Sequence, residues 1–405
     1  MKVLQINTVV NSGSTGRIAE DIGKLLISQG HESYIAFGRG SRPSSSSLIR
    51  IGNLRDIRSH VIKTRLFDGH GFGSENATKK LVEEIERIKP DVIHLHNLHG
   101  YYLNIEVLFN YLKTSPTPVV WTLHDCWAFT GHCTYFDYVN CFRWQTGCYS
   151  CPNKKAYPAS WFMDNSKLNY IQKKKLFNSV AMISIVAPSQ WLADHVSKSF
   201  LGGYPINLIR NGIDLSIFYP RTTGNIKERL GIGNRFMLLG VASVWDRRKG
   251  LDDFIQLNKI IDQDSVIVLV GLSQKQLKNL PEGIIGIART ENIEELAEFY
   301  SAADVFLNPT WVDNCPITNS ESLACGTPVV TYRTGGSPES IDESSGLVVQ
   351  KGDNYSLYSA AMKIKVKGKF NYSASCIARA SKIYNKNVKY QEYIDLYHSL
   401  LLTSY

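Results

Sequence analysis

Two carboxylates stand eight residues apart in the segment Asn308-Pro309-Thr310-Trp311-Val312-Asp313-Asn314-Cys315-Pro316-Ile317-Thr318-Asn319-Ser320-Glu321. Asp313 falls on a loop after an apolar run and Glu321 about one turn inside the helix that follows. That spacing suits holding a ligand better than straddling one bond, as the paired acids of a glycosidase do. A second stretch, Ser243-Val244-Trp245-Asp246-Arg247-Arg248-Lys249-Gly250, follows a strand-like run and opens a helix, which puts three cations beside a positive helix end. Such a place favours a diphosphate, with solvated loop charges as the alternative. Near the N-terminus, Gly13 and Gly16 in Asn11-Ser12-Gly13-Ser14-Thr15-Gly16-Arg17 could let backbone amides approach a phosphate. This is neither the dinucleotide G-x-G-x-x-G nor a Walker loop, and a plain strand-to-helix turn explains it as well.

His94, His96 and His99 invite a metal assignment, but strand alternation puts only His94 and His96 on one face, and no carboxylate adjoins them. We read His96 and His99 as acceptor-side positions, with structural histidines as the alternative. Five of the eight cysteines lie between Cys126 and Cys151. Cys148 and Cys151 form half of a zinc knuckle, and Cys133 and Cys141 could complete a four-thiolate set, with Cys126 or His132 as substitutes. Free buried thiols and disulfides are the other readings. Four protein ligands leave no open position, so a zinc here would shape a loop and perform no chemistry.

These groups need a frame. At 405 residues, 43% hydrophobic and 20% charged, the chain is globular and long enough for two α/β domains. Apolar runs at 3–10, 33–37, 92–95, 119–123 and 183–187 alternate with helix-length stretches such as 18–29 and 79–89, which predicts a doubly wound parallel sheet. Runs at 236–241, 266–270, 284–287, 305–307 and 329–331 repeat the logic. We therefore expect two Rossmann-like domains, 1–205 and 206–375, with a linker near 205–225, a cleft between them, and a C-terminal helix over 376–405 that crosses back to the first. Open α/β sheets bind ligands beyond the carboxyl ends of their strands, so donor and acceptor would take opposite walls.

With Val186-Ala187-Pro188-Ser189, Asn211-Gly212-Ile213-Asp214, Lys249-Gly250 and Ala324-Cys325-Gly326-Thr327-Pro328 in order, the chain resembles the large retaining GT-B glycosyltransferase family that carries an E-x7-E signature. It is most similar to the colanic acid glycosyltransferases of surface-polysaccharide synthesis through His94-Leu95-His96-Asn97-Leu98-His99, Trp121-Thr122-Leu123-His124-Asp125 and the cysteine-bearing insert. The resemblance implies a GT-B fold and a nucleoside-diphosphate sugar donor. It implies that Glu321 holds the donor ribose, that Asp313 and the backbone at Asn314 hold the sugar, and that Lys249 stabilises the leaving diphosphate. It also implies that His124 lies close to the reacting sugar. Cations and a helix end can stabilise a leaving diphosphate without a metal, so we expect catalysis to require no cofactor. Two departures stand out: Asp313 replaces the first Glu, and Val244 replaces the usual arginine, a role that falls to Arg247 or Arg248.

A net charge of +9 suits anionic partners. Met1–Val10 is no signal peptide and no run of about 18 apolar residues follows, so we expect a cytoplasmic protein, peripheral at the inner face of the plasma membrane. Residues 50–67 could form a basic amphipathic helix on anionic lipid, near a lipid-linked saccharide acceptor, or an ordinary solvated helix. A GT-B epimerase would act on the donor alone. A non-catalytic zinc- or nucleic-acid-binding protein would need neither the carboxylates nor Lys249, and we expect no nucleic-acid partner.

Overall fold

The computed structural model describes residues 1–221 and 225–403; residues 222–224 of the expected linker and the last two of the expected C-terminal helix lie outside the described residues. The chain divides into two compact units, 1–210 with 387–405, and 211–386.

The first unit carries β1 (Lys2–Asn7), β2 (Glu32–Phe37), β3 (Ser47–Arg50), β4 (Val92–Leu95), β5 (Val119–Thr122), β6 (Ile183–Ala187) and β7 (Ile206–Leu208). They form one parallel sheet in the order β3-β2-β1-β4-β5-β6-β7. β4, β5 and β6 are buried at every position, as a parallel sheet covered on both faces demands. The second unit carries β8 (Phe236–Val241), β9 (Ser265–Val270), β10 (Ile284–Ile287), β11 (Val305–Asn308), β12 (Val329–Tyr332) and β13 (Gly346–Val349), again all parallel, in the order β10-β9-β8-β11-β12-β13. Both orders reverse direction once, between β1 and β4 and between β8 and β11. Loops leaving adjacent strands at such a reversal point run apart around a crevice where ligands bind.

The last helix, Lys386–Thr403, begins in the second unit and belongs to the first from Asn387 onward. Tyr390, Tyr393, Ile394 and Tyr397 are buried. The Tyr397 hydroxyl lies 2.6 Å from His94 Nδ1, and Thr122 Oγ1 donates to the Tyr393 hydroxyl at 3.2 Å. Thr122 Oγ1 also lies 2.8 Å from His94 Nε2. The set is satisfied when Nε2 carries the proton and Nδ1 accepts from Tyr397. Removing one partner of a buried hydrogen bond costs about 1–3 kcal/mol. Tyr397→Phe is therefore expected to lower the urea midpoint by that equivalent, whereas Leu402→Ala, on the exposed face, is expected to leave it unchanged.

Candidate functional site

The reversal point of the second sheet assembles the expected donor residues. The loop after β8 ends in a short turn, Arg247–Lys249, whose N-cap Asp246 accepts the Lys249 amide at 2.9 Å. The loop after β11 is stitched to it, because Trp311 donates its amide to the Arg248 carbonyl at 2.8 Å and Arg248 donates to the Val312 carbonyl at 3.1 Å. Gly250 has φ +81°, and a Cβ there would lie 2.3 Å from the Pro309 carbonyl oxygen, so the close approach of the loops requires glycine.

In this frame Lys249 Nζ donates to Asp313 Oδ2. Burial opposes ionisation of Asp313, but the charges of Lys249 and Arg248, with hydrogen bonds from Lys249 and the Asn314 amide, hold its carboxyl below the usual aspartate range. Asn314 is buried beside it. Gly335 and Gly336 close over Asp313: the Gly336 amide donates to its carbonyl at 3.0 Å, and a Cβ on Gly335 would lie 1.9 Å from that oxygen.

Glu321 sits in the helix Ile317–Ala324, buried, and its Oε2 accepts from the Tyr300 hydroxyl at 2.9 Å. The start of this helix has no side-chain cap and no acid in its first turn. A buried amide fixes it: Asn319 accepts from Asn308 Nδ2 at 2.7 Å and donates to Ser337 Oγ at 3.1 Å and Ser340 Oγ at 2.8 Å. Arg247 is the outlier of the cations, mostly exposed and 3.2 Å from Asp252.

The first unit carries the other expected residues. Gly13, with φ +63°, opens the helix Gly13–Ser28, whose N-cap Ser12 makes no side-chain cap bond. The Asn11 amide donates to the Gly16 carbonyl at 3.0 Å and closes the turn. His96 follows β4 and His124 follows β5. His96 Nε2 lies 3.0 Å from Gln5 Oε1, and its Nδ1 lies 3.1 Å from His124 Nε2. Gln5 in turn donates to the Ala19 carbonyl at 2.8 Å, so its oxygen must accept from His96. That order leaves His96 Nδ1 as acceptor and puts the His124 proton on Nε2, which makes Nδ1 the basic nitrogen of His124. Burial keeps His124 neutral by pushing its pKa down to about 4, against an opposing pull from Asp125. His99 Nε2 lies 2.7 Å from Asp125 Oδ2, and Tyr157 lies 3.1 Å from His99 Nδ1. His96 is thus a positioning residue behind His124, and His94 belongs to the tyrosine contacts of the last helix.

Cys133, Cys141, Cys148 and Cys151 line one cavity of about 20 Å³. Among the described residues, no group of three or more His, Cys, Asp or Glu side chains already stands in a metal-holding arrangement.

Residues 15–217 match the domain described as Glycosyltransferase Family 4, and residues 235–364 match the domain described as Glycosyl transferases group 1. The chain belongs to glycosyltransferase family 4. A relative from Escherichia coli K12 described as a colanic acid biosynthesis glycosyl transferase, WcaC, is 23% identical over 417 residues, covering 99% of this chain and all of that one. Sucrose-phosphate synthase from Thermosynechococcus elongatus superposes with a TM-score of 0.74 at 18% identity, over 99% of both chains. Anabaena HepE in complex with UDP gives 0.69 at 15%, over 98% of this chain and 100% of that one. The two parallel-sheet units are a GT-B fold.

In this glycosyltransferase, sequence reasoning missed Gln5, Tyr157, Tyr300 and the Gly335-Gly336 pair. Only the glycine pair left a local signal. It also overlooked His60, whose Nε2 accepts the amides of Gly71 at 3.2 Å and Gly73 at 3.3 Å. Burial, aided by Lys63, pushes its pKa down to about 3. His70, His94 and His96 are driven well down mainly by burial. His132 goes the other way: burial opposes its charge, but Asp68 raises its pKa. The unfolded state binds protons near pH 6.5, whereas folded His60 does not until about pH 3, so stability is lost as pH falls below 6.5. Between pH 7 and pH 5 we expect a loss of about 2 kcal/mol from His60 alone, read by urea unfolding. Unchanged stability over that range would contradict the assignment of His60 as a buried neutral acceptor.

Proposed function

We propose that this glycosyltransferase moves a hexose from a GDP- or UDP-linked donor, with retention of configuration, to a lipid-linked saccharide in the synthesis of a bacterial surface polysaccharide such as an O-antigen, a capsule or a colanic-acid-like polymer. The observation that carries the reading is the Lys249–Asp313 contact at the carboxyl ends of β8 and β11, with Glu321 in the next helix. When the anomeric carbon–oxygen bond breaks, negative charge grows on the diphosphate. The Lys249 ammonium, already held in place by Asp313, and Arg248 would meet that charge. Glu321, oriented by Tyr300, would accept from the ribose hydroxyls, and Asp313 with the Asn314 backbone would take the sugar hydroxyls. His124, with its basic Nδ1, would contact the reacting sugar or the acceptor hydroxyl. The end-to-end likeness to WcaC supports a saccharide acceptor.

The lipid side of the reading rests on a surface of the first unit. No helix among the described residues is long and apolar enough to cross a membrane. The helix Leu54–Phe67 turns Ile57 inward but exposes Leu54, Arg55, Arg58, Ile62, Lys63 and Phe67. Beside its end, the Trp161 amide donates to the Arg65 carbonyl at 2.7 Å, and Trp161 and Phe162 are 66% and 70% exposed. Apolar rings among cations suit an anionic bilayer surface. Lys173 adds nothing to it, because its ammonium is buried against the carbonyls of Trp127 at 2.8 Å and Thr130 at 3.1 Å.

Glu321→Ala and Lys249→Ala are each expected to lower sugar transfer at least ~10²-fold while the fold is kept, as for groups that hold a donor or a leaving group. Near-normal turnover in either folded variant would remove the site assignment. Trp161→Ala with Phe162→Ala is expected to reduce co-sedimentation with anionic vesicles and leave transfer to a soluble acceptor unchanged. Undiminished vesicle binding would remove the membrane face.

A further inference from the structure

The cysteine-bearing insert after β5 has a core of aromatic rings, with Phe129 4.9 Å and Phe136 5.0 Å from Trp144 between centroids. Next to that core is the cavity lined by the four cysteines and His132. His132 is only 2% exposed, its Nδ1 lies 2.6 Å from Asp68 Oδ1, and its Nε2 has no hydrogen-bond partner. Asp68 is wholly buried and held from the far side, where its Oδ2 accepts the Asn165 amide at 2.9 Å. Asp68 accepts from Nδ1, so Nε2 is the ring atom left buried and without a partner. Leaving such an atom unpaired costs about 1–3 kcal/mol. Around the cavity, Cys148 Sγ accepts the Gly131 amide at 3.1 Å.

We propose that the insert holds one zinc ion through the thiolates of Cys133, Cys148 and Cys151 and the Nε2 of His132, with Asp68 as the carboxylate that fixes the imidazole. The set differs from a four-thiolate knuckle in that His132, not Cys141, is the fourth ligand. His132 qualifies through its oriented, unpartnered nitrogen: carboxylate, histidine and metal in series is how zinc-bound imidazoles are commonly oriented. Three cysteines and one histidine make a closed tetrahedral site. A cavity of about 20 Å³ has room for one small ion. As the side chains stand they are not gathered on a point, so binding must draw the thiols inward by rotation about χ1, the one torsion that places a cysteine Sγ. Part of the charge is also offset. Three thiolates and a dication leave one net negative charge, and the buried Lys173 ammonium is an electrostatic neighbour of both Cys148 and Cys133. The ion would fasten the insert to the end of the helix Leu54–Phe67 through Asp68, and it would do so whether or not the donor reading above is correct.

The test is the metal content of the full chain purified without chelator from zinc-supplemented cells, together with uptake of zinc by the reduced, metal-stripped protein against a chromophoric chelator. One zinc per chain is expected, with thiolate-to-metal charge-transfer bands after cobalt replaces it. Asp68→Asn is expected to weaken zinc affinity about 10–100-fold. His132→Ala and Cys151→Ser are expected to lose the ion, and Cys141→Ser to keep it. A wild-type chain that neither contains nor takes up zinc would overturn the proposal even if every variant failed to fold. Loss of zinc in Cys141→Ser with retention in His132→Ala would overturn the ligand set.

Discussion

Lys249 and Asp313 are separated by 64 positions in the chain, and their contact exists because β8 and β11 are neighbours in one sheet. The order of strands reverses there, and hydrogen bonds from Trp311 to Arg248 and from Arg248 to Val312 hold the two loops together at the crevice. Bringing an ammonium and a carboxylate out of water is costly unless each is paired and hydrogen-bonded, and the loop architecture supplies that pairing. Gly250 lets one loop approach Pro309, Gly335 lets another approach Asp313, and the Asn314 amide completes the carboxylate. A cation fixed in this way before a ligand arrives needs little reorganisation when charge develops on a leaving group.

The first unit uses the same reversal, between β1 and β4, for a different purpose. Gln5 on β1 and the residues following β4 and β5 form a line of hydrogen bonds from Ala19 through His96 to His124. The line fixes which nitrogen of His124 carries its proton, while burial keeps the ring neutral. The last helix then seals the neighbouring His94 with two tyrosines. A histidine-rich sheet end thus becomes a set of neutral, oriented rings, of which His124 stands last in the line.

Much of this was legible in the sequence, and the boundary of legibility has a physical cause. The buried central strands announce themselves as unbroken apolar runs, and 92–95, 183–187 and 236–241 match the observed strands residue for residue, as does the edge strand 284–287. The edge strands Ser47–Arg50 and Gly346–Val349 were missed; each is four residues long, only partly buried and directly preceded by serines, which blurs its start. Lys249, Asp313 and Glu321 could be named as candidates because their motifs are contiguous. Gln5 with His96, Asp68 with His132 and Tyr397 with His94 are 91, 64 and 303 positions apart, and nothing local tells which residue each histidine will meet. The spacing of the cysteines was visible and so was His132 as a substitute candidate, but the Asp68 that orients its ring was not.

The central claim is that the loops after β8 and β11 receive a nucleoside diphosphate. A thermal-shift screen of wild-type and Glu321→Ala chains against UDP, GDP, CDP, ADP, NAD and the corresponding sugar nucleotides tests it most directly. A ligand at ~100 times its dissociation constant adds about 2.7 kcal/mol to the native state. The account predicts selective stabilisation of the wild type by one nucleoside diphosphate and its sugar, lost in Glu321→Ala. Stabilisation by NAD alone, or by none of these ligands, would contradict it.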